Sequence, residues 1–274
     1  MVIRIPDTLT IGQSEKNLAS IRLEPGGLSF FCCHAVKKDL FSQRILFSQP
    51  QNYLASLQEC FFANECLAWK YKHFSVLVTN RPYTLVPEAY FEEERKAELF
   101  AFNFPDKLDT DHVLVNFLPD RTALLFSLPE DIYAFCSRSF SAPEFLHPAT
   151  LFLSQWESLS KNSLCKQMFV VLTEQRIELV CFAPQGKLLL ANSFEVKSSH
   201  DRVYYVLYVW KQEGFDQLAD RLFIAGDSVG CGELRQTLSL YLRHINPVPL
   251  SSDAYLRDEN IWKELPLEIV YLFS

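Results

Sequence analysis

The chain has 274 residues, 49% of them hydrophobic, with only 8 glycines and 14 prolines, which excludes a disordered or collagen-like polypeptide and gives enough length for one large domain or two smaller ones. A formal charge of −7 disfavours phosphate backbones and anionic membrane surfaces, both of which select clustered Lys and Arg, so nucleic acid is not an expected partner. No stretch reaches the roughly 18 uninterrupted apolar residues of a membrane span and the opening "MVIRIPDTLTIGQSEKN" lacks the apolar core of a signal peptide, so the expectation is a soluble, cytoplasmic protein with no direct membrane insertion.

Leu18 to Phe47 read as a meander of three short antiparallel strands, "LASIRLE", "LSFFCCHAV" and "QRILF", separated by "PGG" and a polar break. A helix follows in "QNYLASLQECFFANECLAW", where Leu54, Leu57, Phe61 and Ala68 share one side, and then a strand, "FSVLVT". The run "EEERK" reads as a solvated helix face. "HVLVNFLP" and "TALLFSLP" are strand-like and joined at Asp120-Arg121, "EDIYAFCSRSF" is helical, and "EFLHPATLFLSQWESL" ends as another helix.

Past residue 165 the first order recurs. "KQMFVVLTEQ", "IELVCFA" and "KLLLANSFEV" are three strands, with a turn at Gln185-Gly186. "SSHDRVYYVLYVWKQEG" opens on Ser198 and Asp201 as an acidic capping box and closes at Gly214, and its apolar character all round predicts a helix covered on both sides. "RLFIA" is the following strand. Three strands, a helix and a strand therefore occur twice, as in a divergent structural duplication.

The eight cysteines contain no CxxC pair and sit mostly in apolar runs, as reduced thiols that pack like small hydrophobes. The six histidines are scattered singly, without zinc spacing, and His34 and His147 read as hydrogen-bonded structural residues. A GK[ST] Walker loop is absent and Gly226, Gly230 and Gly232 have the wrong spacing for a dinucleotide fingerprint. A methyltransferase loop at "GDSVGCG" would need several strand–helix units after it, where only about 40 residues remain. No Ser, His and Asp set forms a nucleophile elbow.

The duplicated order is that of the actin-like ATPase superfamily. The passage "ALLFSLPEDIYAFCSRSFSAPEFLHPATLFLSQWESL" followed by "MFVVLTEQRIELVCFAPQGKLLLANSFEV" resembles the close of the first domain and the opening of the second in actin-like pilus-assembly ATPases. Over nearly all its length the chain resembles a bacterial family of unknown function, domain-of-unknown-function family 3822. The resemblance implies an α/β, actin-like ATPase fold: duplicated ribonuclease-H-like subdomains with mixed five-stranded sheets and a nucleotide cleft between the halves. The corresponding division is a first domain with an inserted subdomain at 1–162, a second at 163–250, and a C-terminal segment, 251–274, docking back on the body.

In that superfamily two hairpins carry Asp-x-Gly, whose Asp orders metal and water and whose Gly lets backbone amides approach phosphate. The first hairpin here is "LEPGGLS", with Glu24 in the Asp position, Gly26 and Gly27 at the turn, and Pro25 supplying no amide. The second is "LTEQRIE", with Thr173 in place of the carboxylate, Gln175 in place of glycine, and Glu174 pointing to the opposite face of its strand. The adenosine motif, a strand, a Gly pair, a small polar residue and a Gly before a helix, is matched by "IAGDSVGCGEL" through Gly226, Ser228 and Gly230, with Asp227 replacing the second Gly. Turn chemistry alone also accounts for these residues, Gly226 as the bend and Asp227 or Ser228 as a helix cap. Together the nine positions mark a vestigial nucleotide cleft. The expectation is a non-catalytic binding or assembly module with a protein partner and no cofactor; the alternative is an ATP-binding or weakly hydrolysing ATPase using ATP and Mg.

Overall fold

The computed structural model describes residues 2–107, 110–173, 175–226, 228–250 and 265–274, with Ser228 described by its backbone alone. Its contacts divide the chain into two compact units, Met1–Thr150 with Phe273 and Leu151–Leu272 with Ser274.

In the first unit, β1 (Asn17–Glu24), β2 (Gly27–His34) and β3 (Leu40–Leu46) form an antiparallel meander, and α1 (Tyr53–Phe62) crosses over to β4 (His73–Val78), which lies parallel to β1. The chain then builds β5 (Tyr83–Val86), α2 (Lys96–Ala101), β6 (Asp111–Phe117) and β7 (Ala123–Pro129), whose strands make a separate antiparallel sheet in the order β5-β7-β6. Through α3 (Glu130–Ser139) it returns to β8 (Glu144–Leu146), parallel to β4, completing a five-stranded sheet β3-β2-β1-β4-β8. The inserted sheet has its own core of Val86, Phe100, Val113, Ala123 and Leu125.

In the second unit, α4 (Pro148–Ser160, from Leu151 onward) precedes β9 (Gln167–Leu172), β10 (Arg176–Phe182) and β11 (Leu188–Glu195), again an antiparallel meander. Then α5 (Ser199–Gln212) leads to β12 (Arg221–Gly226), parallel to β9, and α6 (Ser228–Leu238) to β13 (His244–Pro247), giving the order β11-β10-β9-β12-β13. A last helix, α7 (Leu267–Phe273), buries Ile269, Val270 and Tyr271. The two five-stranded sheets share one topology, as the duplicated sequence order predicts. The short strands β5 and β13 were not expected.

Strand position explains strand composition. Every residue of β9 is buried, and β1 is nearly so, because each is the central strand of its sheet and both faces are covered. The edge strands β3 and β11 instead have a single fully buried residue between them, Ile45, and each exposes several side chains, Ser42, Arg44 and Leu46 in β3 and Leu189, Asn192 and Glu195 in β11. On one face of the second sheet Trp156 of α4 stacks on Phe169 at 4.9 Å, Phe169 on Phe223 at 4.8 Å, and the Trp156 indole donates to the Tyr271 hydroxyl at 3.0 Å. On the other face α5 and α6 cover a core that includes Val170, Leu179, Trp210, Leu222 and Leu234.

The termini of α5 match its sequence. Ser198 and Asp201 form the reciprocal capping box, and Gly214, at φ 62°, ends the helix in the left-handed region, with Phe215 N–H donating to the Trp210 carbonyl at 2.9 Å. Its coverage does not match. Tyr204 is 60% and Tyr208 48% exposed, so α5 is buried on one side only. Tyrosine counts as apolar in a periodicity reading, yet its hydroxyl favours a ring that keeps one edge in water.

Candidate functional site

The first hairpin turns through Pro25-Gly26 and pairs Glu24 with Gly27. Gly27 is dictated by packing, since a Cβ there would stand 2.0 Å from the Ile45 carbonyl oxygen on β3. Gly26 has open space around it. Register then places Arg22, Ser29 and Arg44 in one row across β1, β2 and β3. Glu24, two residues beyond Arg22 on the same face of β1, reaches back to all three. Its carboxylate, 6% exposed, accepts from Arg22 Nη1 at 2.9 Å, from Ser29 Oγ at 2.7 Å and from Arg44 Nε at 2.8 Å. Both carboxylate oxygens are thus engaged by cationic or hydroxyl donors inside the sheet.

Beside this cluster lies a cavity of about 420 Å³ lined by Glu24, Pro25, Tyr53, Thr79, Asn80 and Arg81, with Leu128, Pro129 and Ile132 as an apolar wall. It sits at the carboxyl ends of the parallel pair β1 and β4, where α/β sheets commonly hold ligands. Tyr53 Oη donates to the Gly27 carbonyl at 2.9 Å, and burial pushes its phenol well above the usual tyrosine range. Thr79 Oγ1 donates to the Leu23 carbonyl at 2.5 Å.

In the second unit Thr173 closes its own hairpin. Its hydroxyl donates to the Arg176 carbonyl and accepts from Arg176 N–H, both at 3.1 Å, and its carbonyl accepts from Arg202 Nη2 of α5 at 3.2 Å. Gly226 ends β12 opposite Leu172, so it stands next to the Thr173 turn. Its φ is 130°, and a Cβ would come within 2.4 Å of the Leu172 carbonyl oxygen, so glycine is required there by strand contact. The helix begins at Ser228, which places Gly230 inside the first turn of α6 and not in a loop before it. Gly230 is buried and lines a groove of about 560 Å³ between α5 and α6, with His200, Arg202, Tyr204, Glu233 and Tyr241. Glu174, Asp227 and the Ser228 side chain lie outside the described residues.

Of the nine sequence-marked positions, the six that are fully described fall into two local groups, Glu24, Gly26 and Gly27 in one unit and Thr173, Gly226 and Gly230 in the other. Arg22, Ser29, Arg44 and Arg202, which decide what Glu24 and Thr173 can do, were not singled out from sequence. Both histidines singled out are hydrogen-bonded. His34 Nδ1 accepts from Val36 and Lys37 N–H, and buried His147 accepts from Ala149 N–H at Nδ1 and bonds the Arg81 carbonyl through Nε2 at 3.1 Å. Burial pushes the thiols of Cys32 and Cys136 up to about 12 and those of Cys33, Cys60 and Cys66 to about 11, so they stay protonated near neutrality.

Two mixed sheets of one topology, the first interrupted by an inserted sheet, define a protein with the actin-like ATPase fold. A crystal structure of a Bacteroides thetaiotaomicron protein with actin-like ATPase fold and unknown function is similar to this chain, with 25% identity, 97% of this chain and 98% of that one covered, and a TM-score of 0.81. A PilM-PilN type IV pilus biogenesis complex is similar in fold alone, with 13% identity, 93% and 96% covered and a TM-score of 0.52. No curated protein matches. The family described as "Protein of unknown function (DUF3822)" matches residues 6–245, and the chain belongs to it.

Proposed function

We propose that this protein is a non-catalytic member of the actin-like class, a binding or assembly module that works through a protein partner. The observation that carries this is the state of Glu24. A metal-assisted phosphotransfer site needs an open carboxylate to order cation and water, and close backbone donors for the phosphates. Glu24 is instead neutralised by Arg22 and Arg44 and hydrogen-bonded by Ser29. A cation placed at it would face two guanidinium groups already in contact. Pro25 supplies no amide, and the Thr173 hydroxyl is used within its hairpin. These residues do not fit Mg-ATP, so no cofactor is assigned.

Support for a partner comes from the neighbour of similar fold that was solved as a complex, PilM with PilN. Among the described residues no helix is long and apolar enough to cross a membrane, in keeping with a cytoplasmic module. A second reading, weak ATP binding, is favoured by one feature, the groove in which Gly230 lies beside Arg202 and Tyr204. Titration calorimetry with ATP, with and without magnesium, separates the two. The module predicts no magnesium-dependent heat, whereas micromolar, magnesium-dependent binding would establish the ATPase reading.

A further inference from the structure

We infer that the cavity at the carboxyl ends of β1 and β4 is a binding site for a small aliphatic carboxylic acid, its carboxylate held by Arg81 and Asn80 and its hydrocarbon laid on Leu23, Val78, Leu128 and Ile132. All six residues line one space of about 420 Å³. That volume is within the range of small-ligand pockets, about 300–1,000 Å³. The inference deepens the non-catalytic reading and rests on it in one respect: Glu24 stays committed to Arg22, Ser29 and Arg44 and takes no cation.

Arg81 is the reason for a carboxylate. Its side chain is only 27% exposed, yet its guanidinium makes no hydrogen bond among the described residues. Its ion pair with Asp111, from Nη1 to Oδ2, is 3.7 Å long, past hydrogen-bond length. Asp111 is already served, since Oδ2 accepts from Ser127 Oγ at 2.8 Å and Oδ1 from Thr110 Oγ1 at 3.0 Å. A guanidinium drawn largely out of water with its donors unused is costly, and a bidentate anion supplies what it lacks. The Arg81 charge also acts on the Tyr53 phenol, another lining group, where it offsets part of the effect of burial. In the ion-pair network at this end of the sheet, Arg22, Arg44 and Arg81 stand against Glu24 and Asp111, three cations to two anions, which matches a monoanion and not a phosphate dianion. Asn80 adds a neutral donor beside Arg81. It stands at φ 57°, a left-handed conformation that asparagine tolerates, and its exposed amide has no partner among the described residues. Leu23, Val78, Leu128 and Ile132 are all buried and offer no polar side-chain atom, so the rest of the ligand is hydrocarbon.

The test is titration calorimetry of the full chain with straight-chain acids from butanoate to octanoate, beside the matched primary alcohols. Affinity should rise about fourfold with each added methylene until the cavity is filled. The alcohols should bind at least about tenfold more weakly than the acids, the scale of one charge-assisted hydrogen bond. Asn80→Asp keeps the left-handed turn and sets a carboxylate against the ligand's, while Arg81→Met removes the cation; each should weaken the best acid at least about tenfold. Asn80 is exposed, so Asn80→Asp should fold as the parent does and decides the matter if Arg81→Met, which takes away the ion partner of Asp111, does not fold. No heat with any acid at millimolar concentration, alcohols that bind as well as the acids, or affinity unchanged in Asn80→Asp would each overturn the assignment. Magnesium-dependent ATP binding would overturn the non-catalytic reading instead, so the two failures are told apart.

Discussion

Replacing Glu24 by Ala tests whether this carboxylate is structural. It removes the acceptor for Arg22 Nη1, Ser29 Oγ and Arg44 Nε at once. Arg44 is 66% exposed, so its pair is screened by water and adds little. Arg22 is only 18% exposed, and removing one partner of a buried pair costs about 3–5 kcal/mol. Residual access of water to Arg22 puts the expected loss near the low end, about 3 kcal/mol, a large share of the ~5–15 kcal/mol by which domains are stable. For units of this size that corresponds to a fall in melting temperature of roughly 6–12 °C, read by circular dichroism or scanning calorimetry. Glu24→Gln, which keeps an acceptor for Ser29 and Arg22, should lose less. An unshifted transition for Glu24→Ala would refute the claim that the carboxylate holds the first sheet together, and would free it for a role toward a ligand.

Other consequences follow from packing and titration. Gly226→Ala should destabilise the second unit by at least about 2 kcal/mol in a denaturant titration, because the added Cβ meets the Leu172 carbonyl at 2.4 Å and φ is 130°. Trp156→Ala should cost about 3–5 kcal/mol, as it empties the stack on Phe169 and leaves Tyr271 without its indole donor. The raised thiols make a pH prediction of definite sign. The folded protein holds those protons to about 11–12 while the unfolded chain releases them near 9, so their contribution to stability is complete below 9 and is lost as pH rises toward 11–12. Alkylation followed by mass spectrometry at mild alkaline pH should accordingly modify the half-buried Cys165 and Cys231 well ahead of Cys32, Cys33 and Cys136.

The duplication was legible because central strands are continuous apolar runs, as in "MFVVL", and because turn residues mark their ends, as Pro25-Gly26 and Gln185-Gly186 do. The sheet order followed from the repeated succession of elements. The meaning of Glu24 was only half legible. A two-residue turn fixes the register of β1 on β2 and so brings Ser29 opposite Arg22, but Arg44 arrives through a longer connection whose register no local pattern sets. Gly226 and Gly27 read as turn or phosphate glycines, whereas each is required by a carbonyl on a neighbouring strand, at Leu172 and Ile45. Those contacts exist only in the folded sheet. The adenosine-motif match placed Gly230 before its helix, whereas the helix starts at Ser228 and Gly230 lies within the first turn of α6, as the alternative reading of Asp227 or Ser228 as a helix cap implies.

The central claim is that Glu24 is committed to Arg22, Ser29 and Arg44 and serves no metal-bound nucleotide. The most direct measurement is ATP turnover by the purified chain, freed of contaminating ATPases, with magnesium present and absent, next to Glu24→Gln. The account predicts no magnesium-dependent turnover above background in either protein. Turnover that requires magnesium and disappears in Glu24→Gln, while that variant remains folded, would contradict it.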